Sequence, residues 1–122
     1  MSGAKHLYAI HCLDDQLCGR AEGNPRGGST KRMASYPAHK EYQAAASNPE
    51  DPCYIKKIAA GPMVEDDDKY MIGSCFLVEA TREEAQAFID NDPFSKDGVW
   101  ATKCLQRYVA VAGGVRQHPG NL

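Results

Sequence analysis

The order of strand-like and helix-like segments restricts the fold of this chain more than any other feature of its sequence. Four apolar runs have the length of strands, and they read "HLYAIHCL" (6–13), "CYIKKIAAG" (53–61), "IGSCFLVEA" (72–80) and "ATKCLQRYVAVA" (101–112). Helix-forming residues fill about 30–47 and 81–91, which gives the order β-α-β-β-α-β. This order predicts an α+β protein, a ferredoxin-like sandwich with two helices on a four-stranded antiparallel sheet.

The second predicted helix has the clearest boundaries. Thr81 is the expected N-cap, and Glu84 completes a capping box three residues later. Apolar residues at 85, 88 and 89 then form one buried stripe. Because a residue before proline avoids the α region, the helix should end just before Pro93.

The predicted strands are apolar on both faces. In the first strand one face carries Leu7, Ala9 and Leu13, and the other carries Tyr8, Ile10 and Cys12. Two helices can cover only one face of a four-stranded sheet, so the other face needs a second cover. The simplest cover is another copy of the chain, which predicts a homodimer packed sheet against sheet.

The length of 122 residues fits one domain, so we expect a single domain over residues 1–122. Residues 14–30 contain four glycines and a proline without apolar periodicity, which predicts a flexible inserted loop. Residues 113–122 are expected to form a loose C-terminal tail or to lie on a partner.

Charge and hydropathy exclude several classes of partner. The formal net charge is −2, with 14 basic and 16 acidic side chains, so no basic surface for nucleic acid is expected. No apolar run approaches the roughly 18 residues that span a bilayer, and residues 1–5 are too short and polar for a signal peptide. We therefore expect a cytoplasmic protein that binds neither nucleic acid nor membrane.

No cofactor or metal site is expected from the cysteines or the acidic residues. The five cysteines form no C-x-x-C pair, and four of them fall in the apolar runs, where they should fill the core as reduced thiols. The acidic run at 65–68 lacks the spaced ligands and the turn glycine of a calcium loop, so a solvated turn is predicted.

His39 is the first candidate for chemistry. Arg32 and Tyr36 precede it by seven and three residues, and Tyr42 and Gln43 follow it by three and four, so all five share one side of a helix. Pro37 either lies inside that helix, at a cost of about 3 kcal/mol, or lies near the start of a separate one. The alternative interpretation is an ordinary surface histidine with aromatic neighbours.

Asp92 and Ser74 are the other candidates. Asp92 leaves the second predicted helix on its buried side, at a C-terminus where the helix dipole disfavours an anion, so a cation such as His39 or Arg32 is expected beside it. In the alternative, "NDP" is only a stop signal. Ser74 could bind a substrate oxygen while Gly73 lets a ligand approach the backbone, or it could bond only a neighbouring carbonyl.

An ordered set of short motifs resembles the YciI-like family. The motifs are "LYAIHCLD", "KRMASYPAH", "AAGPM", "IGSCFLVEA", "EEAQAFIDNDPF" and "GVW", and they extend from about residue 7 to 108. The resemblance implies a ferredoxin-like unit of the dimeric α+β barrel superfamily, which dimerises through its sheet. It further implies that His39 and Asp92 are a paired acid/base centre and that Arg32 and Ser74 contact substrate. Tyr36, where some relatives carry Arg, is expected to do the same.

Two functions are compatible with these residues. The first is a cofactor-independent lyase or isomerase that acts on a cyclic, aromatic or polyketide-like small molecule by dehydration, dehydrochlorination or double-bond isomerisation. His39 would then accept a proton and Asp92 would orient it. The second is a non-catalytic module of a metabolic pathway that binds the small molecule in the same pocket. The insert at 14–30 and the tail after Gly113 distinguish this chain from shorter relatives. Because these segments could reshape the pocket, the resemblance does not identify the substrate.

Overall fold

The structure is a computed structural model of the chain, and it describes residues 3–15, 20–21 and 27–114. Its strands are β1 (His6–Asp14), β2 (Arg20–Ala21), β3 (Gly28–Ser29), β4 (Lys56–Val64), β5 (Met71–Ala80) and β6 (Trp100–Tyr108). Its helices are α1 (Thr30–Ala46), α2 (Arg82–Asp90) and α3 (Pro93–Lys96). Of the predicted loop at 14–30, residues 16–19 and 22–26 lie outside the described part, and so do residues 115–122 of the predicted tail.

The main sheet has the strand order β4-β5-β1-β6, and each neighbouring pair is antiparallel. This order, with helices between the first and second and between the third and fourth long strands, confirms the ferredoxin-like prediction. The second long strand starts at Lys56 rather than at 53, because Tyr54 N–H donates to Asp51 O (3.0 Å) in a turn that precedes it. The last strand ends at Tyr108, four residues earlier than predicted.

The core lies between the sheet and the helices. It contains the inward-facing side chains of β1 and β5, the apolar stripe of α2, and the aromatic residues Phe94 and Trp100. The stripe of α2 is held by the predicted capping box, in which Thr81 Oγ1 accepts from Glu84 N–H and Glu84 accepts from Thr81 N–H. Burying each large apolar side chain contributes about 1.5–3 kcal/mol, so this layer carries most of the favourable free energy of folding.

The other face of the sheet, called the outer face below, is partly exposed. His11 lies opposite both Cys75 and Cys104 in the ladders, and all three side chains are exposed. The expectation that the strand cysteines fill the core is therefore wrong for Cys75 and Cys104 and correct for Cys12, which is fully buried. Cys53 lies in the turn before β4 and is half-buried.

Helix α1 runs from Thr30 to Ala46 and contains Pro37 in its interior. Ser29 caps its N-terminus by accepting a hydrogen bond from Arg32 N–H (3.0 Å). The alternative that Pro37 starts a separate helix is therefore wrong, and the missing proline N–H leaves the Met33 carbonyl without its helical donor. None of the described helices, of which α1 is the longest at 17 residues, is long and apolar enough to cross a membrane.

Candidate functional site

A cleft of about 370 Å³ lies between α1 and the strands β4 and β5. Four of the five candidate residues from the sequence line it, namely Arg32, Tyr36, His39 and Ser74. The other lining residues are Lys40, Gln43, Ala44 and Ser47 on the helix side and Lys57, Ala60, Gly61, Pro62 and Phe76 on the sheet side. The fifth candidate, Asp92, is fully buried behind His39.

His39 and Asp92 form a close pair. The Nδ1 atom of His39 lies 2.8 Å from Oδ1 and 2.9 Å from Oδ2 of Asp92. An ionised carboxylate only accepts hydrogen bonds, so Nδ1–H donates to Asp92 and Nε2 is the nitrogen left to hold or accept a proton. The His39 side chain is 12% exposed and that of Asp92 is 0% exposed, so the imidazole alone connects the pair to the cleft.

Asp92 is held by donors on both oxygens. Phe94 N–H donates to Oδ1 (2.8 Å) and Gln43 Nε2 donates to Oδ2 (2.8 Å). Asp92 follows Asn91, the C-cap of α2, and is buried, as expected, but it is also the N-cap of the next helix, α3, so its carboxylate accepts a backbone N–H there rather than facing only carbonyls. Pro93 starts α3 at its first position, where a proline lacks no needed donor.

Aromatic rings fix the plane of the imidazole. The Phe94 ring stacks on His39 with 3.8 Å between centroids and 3° between planes. Trp100 meets His39 edge-on, with centroids 6.3 Å apart, and Tyr36 lies 6.3 Å away nearly parallel to it. The ring therefore has little rotational freedom, and its position follows from α3 and β6 as much as from its own helix.

Arg32 is paired with Asp14 and not with Asp92. Its Nη1 donates to Oδ1 (2.9 Å) and Oδ2 (3.1 Å) of Asp14, and both side chains are 2% exposed. Burial raises the pKa of Asp14, and the Arg32 guanidinium opposes this shift without cancelling it. Among the described residues nothing accepts a hydrogen bond from Arg32 Nε. The guanidinium thus brings a buried positive charge to the cleft wall.

Ser74 accepts two hydrogen bonds from side chains. Arg32 Nη2 (3.3 Å) and Trp100 Nε1 (3.2 Å) both donate to its Oγ, so the Ser74 proton stays available to a ligand oxygen. The expectation that Gly73 admits a ligand is wrong, because a Cβ there would collide with the Cys12 carbonyl and lie 2.6 Å from Met63 Cε. The missing side chain of Gly73 instead lets β5 pack closely against the backbone of β1.

Several residues of the site were not found from the sequence. The spacing of four residues places Gln43 on the same side of α1 as His39, but it does not predict the bond of Gln43 to Asp92. Asp14 and Trp100 flank predicted strands. No local sequence pattern indicates that Asp14 pairs with Arg32 or that Trp100 donates to Ser74. Lys57 reaches the cleft from β4, where its Nζ donates to Gln43 Oε1 (2.8 Å).

The described lining of the cleft is cationic. It contains Arg32, Lys40 and Lys57 and no carboxylate. Burial lowers the pKa of Lys57, and the nearby Asp92 carboxylate opposes that shift. No group of three His, Cys, Asp or Glu side chains in the described ranges is arranged to hold a metal ion. The arrangement can therefore accept a proton at His39 and stabilise negative charge on a bound molecule.

Comparisons with known proteins found a matching family and a similar solved structure. A family model described as the YCII-related domain matches residues 7–104. A solved structure of 5-chloro-2-hydroxyhydroquinone dehydrochlorinase from Burkholderia phenoliruptrix AC1100, in complex with 2,5-dihydroxybenzoquinone, is similar with a TM-score of 0.63 and 26% sequence identity. That similarity covers 85% of this chain and 94% of the dehydrochlorinase chain. No curated protein matches the sequence at a significant level.

Proposed function

The chain belongs to the YCII-related family, and we propose that it is a small lyase or isomerase in which His39 and Asp92 form the acid/base pair. The similar solved structure is a dehydrochlorinase, which supports a lyase-type reaction in general. The observation that carries the proposal is the contact of His39 Nδ1 with both Asp92 oxygens, at 2.8 and 2.9 Å, while the ring lines the cleft.

His39 acts as the general base through Nε2. Nδ1–H donates to Asp92, so Nε2 takes a proton from a substrate carbon next to a carbonyl or from a ring hydroxyl. The imidazolium that forms is stabilised by the Asp92 carboxylate. A positioned base of this kind contributes about 10²–10⁴-fold to a rate.

An elimination or a double-bond shift needs no further catalytic groups. The electron pair released by deprotonation forms a new double bond while chloride leaves, or while a hydroxyl leaves with the proton returned from His39. In an isomerisation the same proton returns to a different carbon. No electrons are exchanged with another molecule in any of these reactions, so the proposed chemistry runs without a cofactor.

The cleft suits a cyclic substrate that becomes an enolate or phenolate. Tyr36 and Phe76 supply flat aromatic walls, and the Ser74 hydroxyl and the Arg32 charge favour negative charge on a substrate oxygen. The ligand of the similar dehydrochlorinase, 2,5-dihydroxybenzoquinone, is a hydroxylated ring. We propose that this chain also acts on a hydroxylated ring, either aromatic or polyketide-like.

The chain is proposed to work as a homodimer in the cytoplasm. Its outer face exposes Leu13 by 38% and Tyr108 by 43%, beside the thiols of Cys75 and Cys104. An apolar face of this kind is usually an interface, and a second copy of the same sheet is its simplest cover. Exposed reduced thiols suit the reducing cytoplasm.

Turnover of a small panel tests the function. Chlorinated and non-chlorinated hydroxyhydroquinones and cyclic hydroxyketones are incubated with the wild type, His39→Ala and Asp92→Asn, and chloride, water loss or absorbance change is followed. We expect His39→Ala to lose about 10²-fold or more of kcat and to regain part of it when imidazole is added. His11→Ala, an exposed histidine on the outer face, is the matched control.

Circular dichroism confirms that each variant is folded before its rate is interpreted. If folded His39→Ala and Asp92→Asn turn over substrate like the wild type, the acid/base proposal is wrong. If wild type and variants bind a panel compound equally and none is converted, the chain is the binding module of the alternative function.

A further inference from the structure

We propose that Lys57 is a positioning residue for the acid/base pair: it orients the amide of Gln43, which in turn holds the Asp92 carboxylate against His39. This inference rests on the proposed function, because it gives Lys57 a role in the reaction without direct contact with the proton that is transferred. It extends the site from the His39–Asp92 pair to a residue on a different layer of the fold.

A continuous series of hydrogen bonds carries the inference. Lys57 Nζ donates to Gln43 Oε1 (2.8 Å) and also to the Gln43 backbone carbonyl (3.0 Å). Gln43 Nε2 donates to Asp92 Oδ2 (2.8 Å), and the same oxygen lies 2.9 Å from His39 Nδ1. The series runs from the sheet through α1 to the N-cap of α3.

The two hydrogen-bond partners of the Gln43 side chain, Lys57 and Asp92, fix its amide in one orientation. An ammonium group only donates hydrogen bonds and an ionised carboxylate only accepts them. A flipped amide would direct its NH₂ group at Lys57 and its oxygen at Asp92, and both bonds would be lost. While Lys57 is protonated, Gln43 therefore directs an N–H at Asp92.

The fixed amide in turn fixes the carboxylate. Asp92 has one rigid donor on each oxygen, Phe94 N–H on Oδ1 and Gln43 Nε2 on Oδ2. Without the second donor the carboxylate can rotate about its Cβ–Cγ bond, and the imidazole loses a defined partner. Displacement of a catalytic group by about 1 Å can cost on the order of 10²-fold in rate.

Lys57 differs from its neighbour Lys56 in having no acidic partner. Lys56 lies toward the outer face and is bonded to Glu79 (3.1 Å), whereas no carboxylate of the described chain lies within ion-pair distance of Lys57. Lys57 instead supplies a cation to the C-terminal end of α1, whose last turn has no basic residue of its own. A half-buried lysine held by an amide is costly to desolvate, which favours a role beyond surface charge.

The titration of Lys57 gives the inference a pH signature. The groups that face it are Asp92 beyond Gln43, the Cys53 thiol and the Phe88 ring of α2, and Lys40 lies across the same cleft. Burial lowers the pKa of Lys57. A neutral amine both donates and accepts, so above that pKa it no longer dictates the amide orientation and kcat should fall.

Three variants separate this role from others. Lys57→Met removes the donor, Lys57→Arg keeps a donor that stays charged, and Lys56→Met is the matched control. We expect Lys57→Met to lower kcat about tenfold with KM changed less than about twofold. Lys57→Arg should recover most of the rate at neutral pH and move the alkaline fall of kcat to higher pH. Lys56→Met should behave like the wild type.

A second readout does not depend on turnover. The downfield proton resonance of the His39 Nδ1–H, measured by NMR, reports its bond to Asp92. It should broaden through exchange in Lys57→Met and persist in Lys57→Arg and Lys56→Met. If Lys57→Met does not fold, Lys57→Gln gives the same comparison, because its neutral amide can donate or accept and no longer dictates the orientation of Gln43.

Two results would overturn the inference. In the first, folded Lys57→Met keeps both the wild-type kcat and the wild-type Nδ1–H resonance. In the second, only KM rises, which would make Lys57 a direct substrate ligand. Failure of the proposed function looks different: His39→Ala would retain turnover, while the resonance would still report whether Lys57 holds the pair.

Discussion

At the scale of single residues, the site is built from two side-chain pairs, His39 with Asp92 and Arg32 with Asp14, that meet at one phenylalanine. His39 stacks on Phe94 at 3.8 Å, and the Arg32 guanidinium carbon lies 4.7 Å from the centre of the same ring. The pairs differ in their chemistry, since Asp92 and Asp14 are both buried but a guanidinium only donates hydrogen bonds, whereas an imidazole nitrogen can also accept a proton. One pair is therefore suited to proton transfer and the other to a fixed charge.

Removing one member of the fixed pair should destabilise the fold strongly. Asp14→Ala leaves the Arg32 guanidinium buried without a carboxylate, and we expect the free energy of unfolding to fall by about 3–5 kcal/mol. The double variant Arg32→Met with Asp14→Leu should recover most of that loss, because apolar side chains of similar volume avoid the desolvation cost. Urea unfolding of the two variants and the wild type measures both effects.

The same double variant separates stability from activity. It removes the Arg32 charge from the cleft wall, so kcat should stay low even though the fold is recovered. An Asp14→Ala protein as stable as the wild type would show that the pair contributes nothing to folding. A double variant with full activity would remove Arg32 from the proposed function.

At the scale of elements, the close pairing of β5 with its two neighbours, β1 and β4, depends on one glycine of β5. A Cβ at Gly73 would collide with the Cys12 carbonyl, which belongs to the neighbouring backbone, and with the Met63 side chain. Gly73→Ala should therefore separate the strands and lower the free energy of unfolding by about 1–3 kcal/mol. Ser74 follows directly, so the hydrogen bonds of its hydroxyl should weaken as well.

Gly61→Ala is the matched control for this prediction. Gly61 lies on the adjacent strand, and a Cβ there meets no atom of the described chain within 4 Å. Thermal unfolding of both variants makes the comparison. Equal melting temperatures for the two would contradict the argument that backbone approach at residue 73 requires glycine.

Local signals predicted the elements well and the connections between them less well. The capping box at Thr81 and the apolar stripe of α2 are short-range patterns, so the sequence alone places that helix. Helix α3 has four residues, which is too short for a periodic pattern, and Pro93 resembles a stop signal although it also begins a new helix. Because of that ambiguity, the sequence predicts the end of α2 near Asp92 but not the start of α3.

The features that could not be predicted from the sequence depend on long-range contacts. Alternation places Lys56 and Lys57 on opposite faces of β4, but no local pattern tells which one faces the helices. The register of β4 on β5 decides this, and it shifts between Lys57 and Ala59. The pairing of Arg32 with Asp14 likewise depends on where β1 ends below α1.

At the scale of the whole molecule, the outer face is the surface that the helices do not cover. We expect two copies to pack on it, and sedimentation at micromolar concentration should give the mass of a dimer. Leu13→Asp places a charge on this face and should give a monomer. Tyr54→Asp changes a side chain of comparable exposure (42% against 38%) that lies before β4 and outside the sheet, and it should leave the dimer intact.

The cysteines report the same interface chemically. Cys75 and Cys104 lie on the outer face, so a dimer should protect both from alkylation at micromolar protein and release them on dilution or in Leu13→Asp. Cys12 is an internal control, because burial raises the pKa of its thiol to about 12 and it should stay unreactive at pH near ~8 in either state. Mass spectrometry after a short iodoacetamide pulse measures the alkylated fraction of each of these three cysteines. Rapid alkylation of Cys75 and Cys104 at the same rate at every concentration, in the wild type as in Leu13→Asp, would mean that no second copy covers the sheet.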